Sequence, residues 1–499
     1  MAEDRNSYKN ITKAIGLFGG VQVFNILAGI IKNKIVAVLL GPVGMGISGI
    51  LISTTSMISS ATGLGLHTSA VRDVAKAYSS KDEKEVGTIV TVLRKLIRVT
   101  GLIGMLLTIL LSPLLSLWSF GNYDYTWAFV FVSVIVLFDQ LKSGQTVLLQ
   151  GTFHYRYMAN ASVIGSLVGL VIAIPLYYIW KMDAIVPVII LTSLSGLIVS
   201  SLFARKVQFQ RVELTNKQVW SIGKVMIVLG TSIAVAGFAN TGHTYLVRAV
   251  ISNIGSIADV GLYTAGIGIA TQYINVILQS MGSDYSPRIA ALQDDQEGFI
   301  EAVNRQTRLM IIVVLPFIIP FIVFIRELTI LLYSTQFLAI TNMIEWIMAG
   351  MFFRTTSWCL SYTIVAMGKP KQFLFNELAT HVYSIAFTLL GYVWGSFTGM
   401  GIAFCVVNLI YTIQLFFVCR KLFHFRYFPE TVKTVLFQFA ILTLSVVIIM
   451  SLNYGAMRYL IGGGLIIIAW VLSAIQLNKI LPLKDVLQSL KGRLSRRQQ

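Results

Sequence analysis

Val43-Gly44-Met45-Gly46-Ile47-Ser48-Gly49-Ile50 has a loose echo later in the chain, Val260-Gly261-Leu262-Tyr263-Thr264-Ala265-Gly266-Ile267. A second pair, Ala204-Arg205-Lys206-Val207-Gln208-Phe209-Gln210-Arg211 and Cys419-Arg420-Lys421-Leu422-Phe423-His424-Phe425-Arg426, is displaced by nearly the same amount. Between these anchors Lys32 and Arg72 stand as far apart as Arg248 and Arg288. A nearly constant offset over so much sequence implies two homologous halves. In a membrane protein such halves usually flank a transport site near the bilayer midplane.

The chain is built for lipid. It is 56% hydrophobic and 12% charged, with a mean hydropathy of +0.77, whereas a soluble domain carries about 25% charged residues. The first ten residues are polar and no small-residue cleavage site follows the first apolar run, so no cleaved signal peptide is expected. Cys359, Cys405 and Cys419 lie in or at the end of apolar segments and lack metal-ligand spacing. They read as packing residues, with no metal and no cofactor implied.

Fourteen apolar segments are long enough to span, at about 20 residues each. They run from 14–40 and 43–71, through 99–118 and 220–251, to 435–453 and 457–478. With the first residue inside, the inner connections and tails collect most of the 39 Lys and Arg, among them Lys76, Lys81, Lys84, Arg205, Lys206 and the tail Lys491 to Arg497. Only Lys181, Arg326 and Arg458 fall on outer connections. This asymmetry predicts cytoplasmic termini and accounts for most of the +18 net charge without nucleic acid. Segments one and seven both start inside, so the halves are parallel repeats. The expected architecture is an all-α polytopic membrane protein. An N-lobe (1–206) and a C-lobe (207–426) of six helices each surround a central cavity, and 427–499 adds two helices and a basic tail.

Charges inside the spans carry the chemistry, because a central Arg or Lys costs about 2.5–3.5 kcal/mol on the insertion scale. Arg354 lies near the middle of its segment, and Glu345 falls on the opposite face of that helix. Arg354 therefore lines a cavity or pairs across helices, with Asp139 as one partner. Lys142 either faces the same space or is neutralised by Asp139, three residues before it. Lys32 and Arg248 are repeat-equivalent and either face the cavity or snorkel to the interface. Arg72 and Arg288, also equivalent, are substrate contacts or simple topology charges. These six make a cationic site suited to an anionic substrate such as phosphate or pyrophosphate. Asp139, Glu345, Asp284 and Glu377 are candidates for binding a coupling ion.

Lys34-Ile35-Val36-Ala37-Val38-Leu39-Leu40-Gly41-Pro42-Val43-Gly44-Met45-Gly46 resembles the first outer turn of Wzx-type polysaccharide flippases. The resemblance continues through Leu246-Val247-Arg248-Ala249-Val250, Asp259-Val260-Gly261-Leu262-Tyr263 and Ser286-Pro287-Arg288-Ile289, and covers about residues 10–425. These proteins belong to the multidrug/oligosaccharidyl-lipid/polysaccharide exporter superfamily. The resemblance implies a bacterial inner-membrane flippase. Its substrate would be undecaprenyl-pyrophosphate-linked oligosaccharide units, such as O-antigen, moved to the periplasmic leaflet by alternating access. Membrane lipids, a polysaccharide polymerase and chain-length proteins would be its partners. The last two segments depart from the commonest twelve-helix pattern.

Two other classes remain open. A cation-coupled multidrug exporter of the same fold calls for acidic lobes, and segment 14–40 has no acid. A membrane-embedded lipid-phosphate glycan transferase calls for paired carboxylates and a metal at one interface. Asp294 and Asp295 sit together in an inner loop but read more plainly as a solvated turn. No metal box, Walker loop or nucleophile elbow stands in a suitable context.

Overall fold

A computed structural model describes residues 2–210, 212–293 and 295–480, with side chains from residue 19 onward except those of 283, 284, 286 and 287. The basic tail and Asp294 lie outside the described residues, as does the side chain of Asp284. Among the described residues there is no strand. In chain order the helices are α1 (Ala2–Leu39), α2 (Gly41–Thr62), α3 (Leu66–Ser79), α4 (Glu83–Phe120), α5 (Thr126–Gly151), α6 (Tyr155–Trp180), α7 (Ile185–Ala204) and α8 (Asn216–Ile254). They continue as α9 (Ile257–Ala290), α10 (Gln296–Val323), α11 (Ile325–Leu332), α12 (Thr341–Ala366), α13 (Pro370–Phe423), α14 (Pro429–Ser451) and α15 (Ala456–Ile480).

Among the described residues twelve stretches are long and apolar enough to cross a membrane. Two of them, Tyr155–Ala204 with 50 residues and Pro370–Phe423 with 54, are long enough to cross twice at 1.5 Å per residue and about 30 Å of hydrocarbon. The first turns back at a short 3₁₀ segment, Lys181–Ala184, after which α7 packs on α6. The second leaves helical geometry at Gly395 and Ser396. There it doubles back so tightly that a Cβ on Gly391 would stand 2.4 Å from the Gly399 carbonyl. Twelve stretches with two doubled make the fourteen crossings the sequence predicts.

Two boundaries differ from the hydropathy reading. The apolar segment 43–71 is not one helix: Leu64 (φ 50) and Gly65 (φ 64) are left-handed and break it after Thr62. The next helix, α3, is amphipathic and buries Leu66, Ala70, Val74 and Ala77 on one side. α4 starts well before residue 99, because the Asp82 carboxylate caps it by accepting from Lys84 N (2.8 Å) and Glu85 N (3.2 Å). The helix thus carries a charged extension, Glu83 to Arg98, ahead of its apolar span.

Packing divides the chain into two compact units, Met1–Thr264 with Leu332–Gln336, and Ala265–Leu331 with Phe337–Gln499. In the first, α4 packs on α5, α6 on α7, and α1 on α6, while α8 lies against α2, α3 and α4. The Val43–Ile50 motif meets its own echo there. A Cβ on Gly46 would stand 2.0 Å from the Ile257 carbonyl, and one on Gly261 would stand 1.8 Å from the Pro42 carbonyl. Only glycine permits backbones to approach so closely. The contacts are reciprocal and make Gly46 the counterpart of Gly261. That register is the one linking Arg205 to Arg420, two positions from the register in which the sequence motifs align.

In the second unit α12 packs on α13, and α10 packs on α12, α14 and α15. The repeat recurs here in detail. Asp295 caps α10 through Gly298 N (3.0 Å) as Asp82 caps α4. Each third long helix then ties down the strap that ends its half. Thr91 Oγ1 donates to the Val212 carbonyl (3.2 Å), and Asn304 Nδ2 donates to the Arg426 carbonyl (3.0 Å).

Candidate functional site

The first unit holds four of the predicted cationic residues. Lys32 is half-buried on α1. Arg248 on α8 is also half-buried and donates from Nη1 to the Gly49 carbonyl (2.8 Å). Tyr263 lies within electrostatic reach of Arg248. The guanidinium therefore bridges α8 to α2 three residues beyond the Gly46 crossing. Lys142 on α5 is exposed and its ammonium lies over Gly196 of α7. Asp139, on the same side of α5, accepts from Ser193 Oγ of α7 at 2.8 Å and feels the Lys142 charge. Arg72 on α3 is exposed and pairs with its neighbour Asp73 at 3.2 Å. His67, at the start of α3, is pushed below the ordinary imidazole value by burial, which keeps it neutral near pH 7.

The second unit holds the rest. Arg288 at the end of α9 is exposed and donates to Gln306 Oε1 of α10 (2.7 Å). Arg354 is the exposed residue in a largely buried stretch of α12. Its guanidinium forms no hydrogen bond or ion pair among the described residues, and its charge acts on His381 and Tyr411 of α13. Around it lies a polar layer that joins α12 to both arms of α13. The Tyr411 hydroxyl donates to Glu377 and lies 3.3 Å from Ser361 Oγ, and Gln414 Nε2 donates to Asn376 Oδ1 at 2.7 Å. Arg354 and Glu377 are thus brought to one region, and Asp139 and Lys142 to another.

Glu345 has a different surrounding. It is fully buried and ion-paired with Arg458 of α15, each side chain 2% exposed. Arg458 also donates to the carbonyls of Ile449 (2.8 Å) and Ile322 (3.1 Å) and stacks on Tyr454, with its Cζ 4.3 Å from the ring centre. The sequence alone places Arg458 as an outer-loop charge. The structure turns it inward, because a carboxylate waits for it on α12. The pair fastens the last two helices to α10 and α12.

Sequence reasoning also missed polar residues that link apolar helices. Asn25 of α1 donates to Ser162 Oγ (2.8 Å) and accepts from Ser166 Oγ (2.9 Å) of α6. Gln140 of α5 donates to the Ser59 carbonyl (2.7 Å) of α2. Their signal was present: a lone Asn or Gln in an apolar run needs a partner. Among the described residues no group of His, Cys, Asp or Glu could hold a metal ion.

Fourteen crossings among the described residues, six in each half and two beyond them, with charges set inside the spans, make this a multi-pass membrane protein. Solved structures share the fold. An inward-facing multidrug resistance MATE family transporter of the MOP superfamily has 16% identity and a TM-score of 0.67, covering 81% of this chain and 94% of its own. The lipid II flippase MurJ, in an inward closed conformation, has 13% identity and a TM-score of 0.70, covering 93% and 99%. A MOP superfamily transporter from Pyrococcus furiosus has 13% identity and a TM-score of 0.59, covering 83% and 96%. No curated protein matches the chain. Residues 35–342 match the family described as polysaccharide biosynthesis protein, and the chain belongs to that family. The exporter-superfamily fold that the sequence resemblance implied is borne out.

Proposed function

We propose that this protein is a flippase for an undecaprenyl-pyrophosphate-linked oligosaccharide, an O-antigen unit or related glycan. It moves the unit from the cytoplasmic to the periplasmic leaflet of a bacterial inner membrane, with both of its own termini cytoplasmic. Family membership supports a role in polysaccharide biosynthesis, and the flippase fold supports lipid-linked cargo. The observation that carries the choice of an anionic headgroup is Arg354, a guanidinium within a span with no carboxylate paired to it among the described residues. Its planar fork matches two oxygens of one phosphate. The neighbouring acids are engaged: Glu345 by Arg458 and Glu377 by Tyr411. Lys142, Arg248 and Lys32 are further contacts in this reading, with Arg72 and Arg288 at the inner helix ends. A charged headgroup does not cross hydrocarbon bare, so the path must open and close by alternating access. The Gly46–Gly261 crossing is where we place the outer gate. In this reading Glu377, which accepts only a hydroxyl hydrogen bond from Tyr411, and Asp139, which accepts one from Ser193, are the candidates for a coupling ion.

The test is display of finished glycan on cells that depend on this protein, with membrane protein level as control. Arg354→Ala should abolish or greatly reduce display, and Arg354→Lys should retain part of it. Loss of a charge-assisted contact costs about 1.5–3 kcal/mol, or roughly 10- to 150-fold in affinity. Wild-type display by Arg354→Ala at normal protein level would remove Arg354 from the site. Transport of cationic dyes by vesicles, unaffected by Arg354→Ala, would favour the multidrug exporter. Metal-dependent product formation from a lipid phosphate would favour the transferase.

A further inference from the structure

A basic recess at the inner end of the first unit takes no part in the proposed transport path. It is a cavity of about 660 Å³ lined by Arg94 and Arg98 of α4, Gln145 of α5, Ser201 of α7, and Arg205 and Gln208 after α7. The strap after α7 forms its rim. That strap is held to α4 by Thr91 Oγ1 on the Val212 carbonyl and by Lys95 Nζ on the Leu214 carbonyl (2.7 Å). Phe209 of the strap lies under the Arg94 guanidinium, 5.3 Å from its Cζ. Among the described residues no carboxylate lines the recess. Three guanidinium groups around one polar space form a site for a phosphate.

The position of the recess favours one source of phosphate. The apolar part of α4 begins directly after Arg98, and Val99 to Phe120 spans about 30 Å, the hydrocarbon thickness. Arg98 therefore sits at headgroup depth. From it an exposed apolar stripe, Leu102, Leu106 and Leu110, runs along the same helix face into the bilayer. Phosphate and acyl chain are provided for on one continuous surface, which free phosphate in water would not need.

The recess is also not an unavoidable product of the fold. Counted from the capping aspartates Asp82 and Asp295, the residues of α10 that correspond to Arg94 and Arg98 are Thr307 and Ile311, both fully buried. Aromatic side chains, Phe299, Phe423 and Phe425, pack the core at that end of the second half.

We propose that the recess binds the phosphate of an anionic phospholipid from the surrounding leaflet. The full-length protein, purified in detergent, would be offered equal amounts of phosphatidylglycerol and phosphatidylethanolamine, and retained lipid would be read by native mass spectrometry. Wild type should retain phosphatidylglycerol preferentially. The triple variant Arg94→Gln/Arg98→Gln/Arg205→Gln should bind it at least about tenfold more weakly, as loss of charge-assisted contacts predicts. Lys76→Gln/Lys84→Gln, at the same end of the bundle but outside the recess, should bind like wild type. Should the triple variant unfold, the exposed single change Arg98→Gln must still lose part of the retention. Equal retention by wild type and the folded triple variant, or by wild type and Arg98→Gln, overturns the proposal. So does equal retention of the two lipids. Displacement of phosphatidylglycerol by millimolar inorganic pyrophosphate, with equal thermal stabilisation, would reassign the recess to a soluble phosphate and overturn the lipid source.

Discussion

The N-terminal ends of α4 and α10 follow one plan and hold different contents. Each begins at a capping aspartate, and each ties the strap of its own half through a polar side chain, Thr91 in one and Asn304 in the other. Above the first strap lies an open space ringed by arginines. Above the second lies a sealed aromatic core, with Phe416 stacked on Tyr427 at 5.5 Å. The second end is further closed by Arg308, which pairs with Glu430 of α14 at 2.8 Å. These bonds between side chain and backbone are what the repeat retains. The filling is free to diverge, so symmetry of skeleton does not imply symmetry of role.

Exchanging residues between the two ends tests that contrast most severely. Ile311→Arg writes the charge of the first half into the sealed core of the second. An unpaired buried charge there should cost several kcal/mol, about 4 or more, and the protein should not accumulate in the membrane. The reverse exchange, Arg98→Ile, should change stability by no more than about 0.5 kcal/mol. Comparable expression of both variants would end the claim that the ends differ in kind.

Arg458→Met comes next. It strands Glu345 in the interior of the second unit, and breaking a buried pair in this way costs about 3–5 kcal/mol. The melting temperature in detergent should fall sharply, and Glu345→Gln in the same chain should recover much of the loss. An unchanged melting temperature in the single variant would show that α14 and α15 are held by packing alone.

The strap bonds should give the smallest effects, in a fixed order. Asn304 is fully buried and engages the carbonyls of Ile300 and Arg426 and the Phe428 amide. Asn304→Ala leaves several of these unsatisfied and should cost about 2–3 kcal/mol. Thr91 is half-buried with one long-range bond, and Thr91→Ala should cost about 1 kcal/mol or less. Thermal unfolding of the two variants side by side reads the order, and a reversal would mean that the open end is the more rigid one.

Much of this could be read in the sequence, and the failures have physical causes. Hydropathy located all fourteen crossings, because lipid demands long apolar runs wherever the chain goes. It ran past the end of α2, since Gly63-Leu64-Gly65 is as apolar as a helix and only its positive φ values break it. The signal for α3 was the spacing of Leu66, Ala70 and Val74, a period that a windowed average erases. Arg354 stood out because depth in a span follows from position alone. Arg458 did not, because its burial is decided by Glu345, distant in sequence and on another helix. The recess was hidden for the same reason: Arg94, Arg98 and Arg205 look like ordinary inner-side charges until folding places them around one space.

The reciprocal contact of Gly46 with Ile257 and Gly261 with Pro42 has the form of an isologous dimer interface, in which one patch is complementary to itself. Here both copies of the patch are carried by a single gene. A two-chain ancestor could enlarge such a contact only by changing both sides at once, because every substitution appeared twice. The fused chain is released from that constraint and can alter the side chains around one crossing alone, while Gly46 and Gly261 themselves stay fixed, because each faces a backbone carbonyl that no substitution removes. Paired variants at these positions would report how far the old identity of the two surfaces is still enforced.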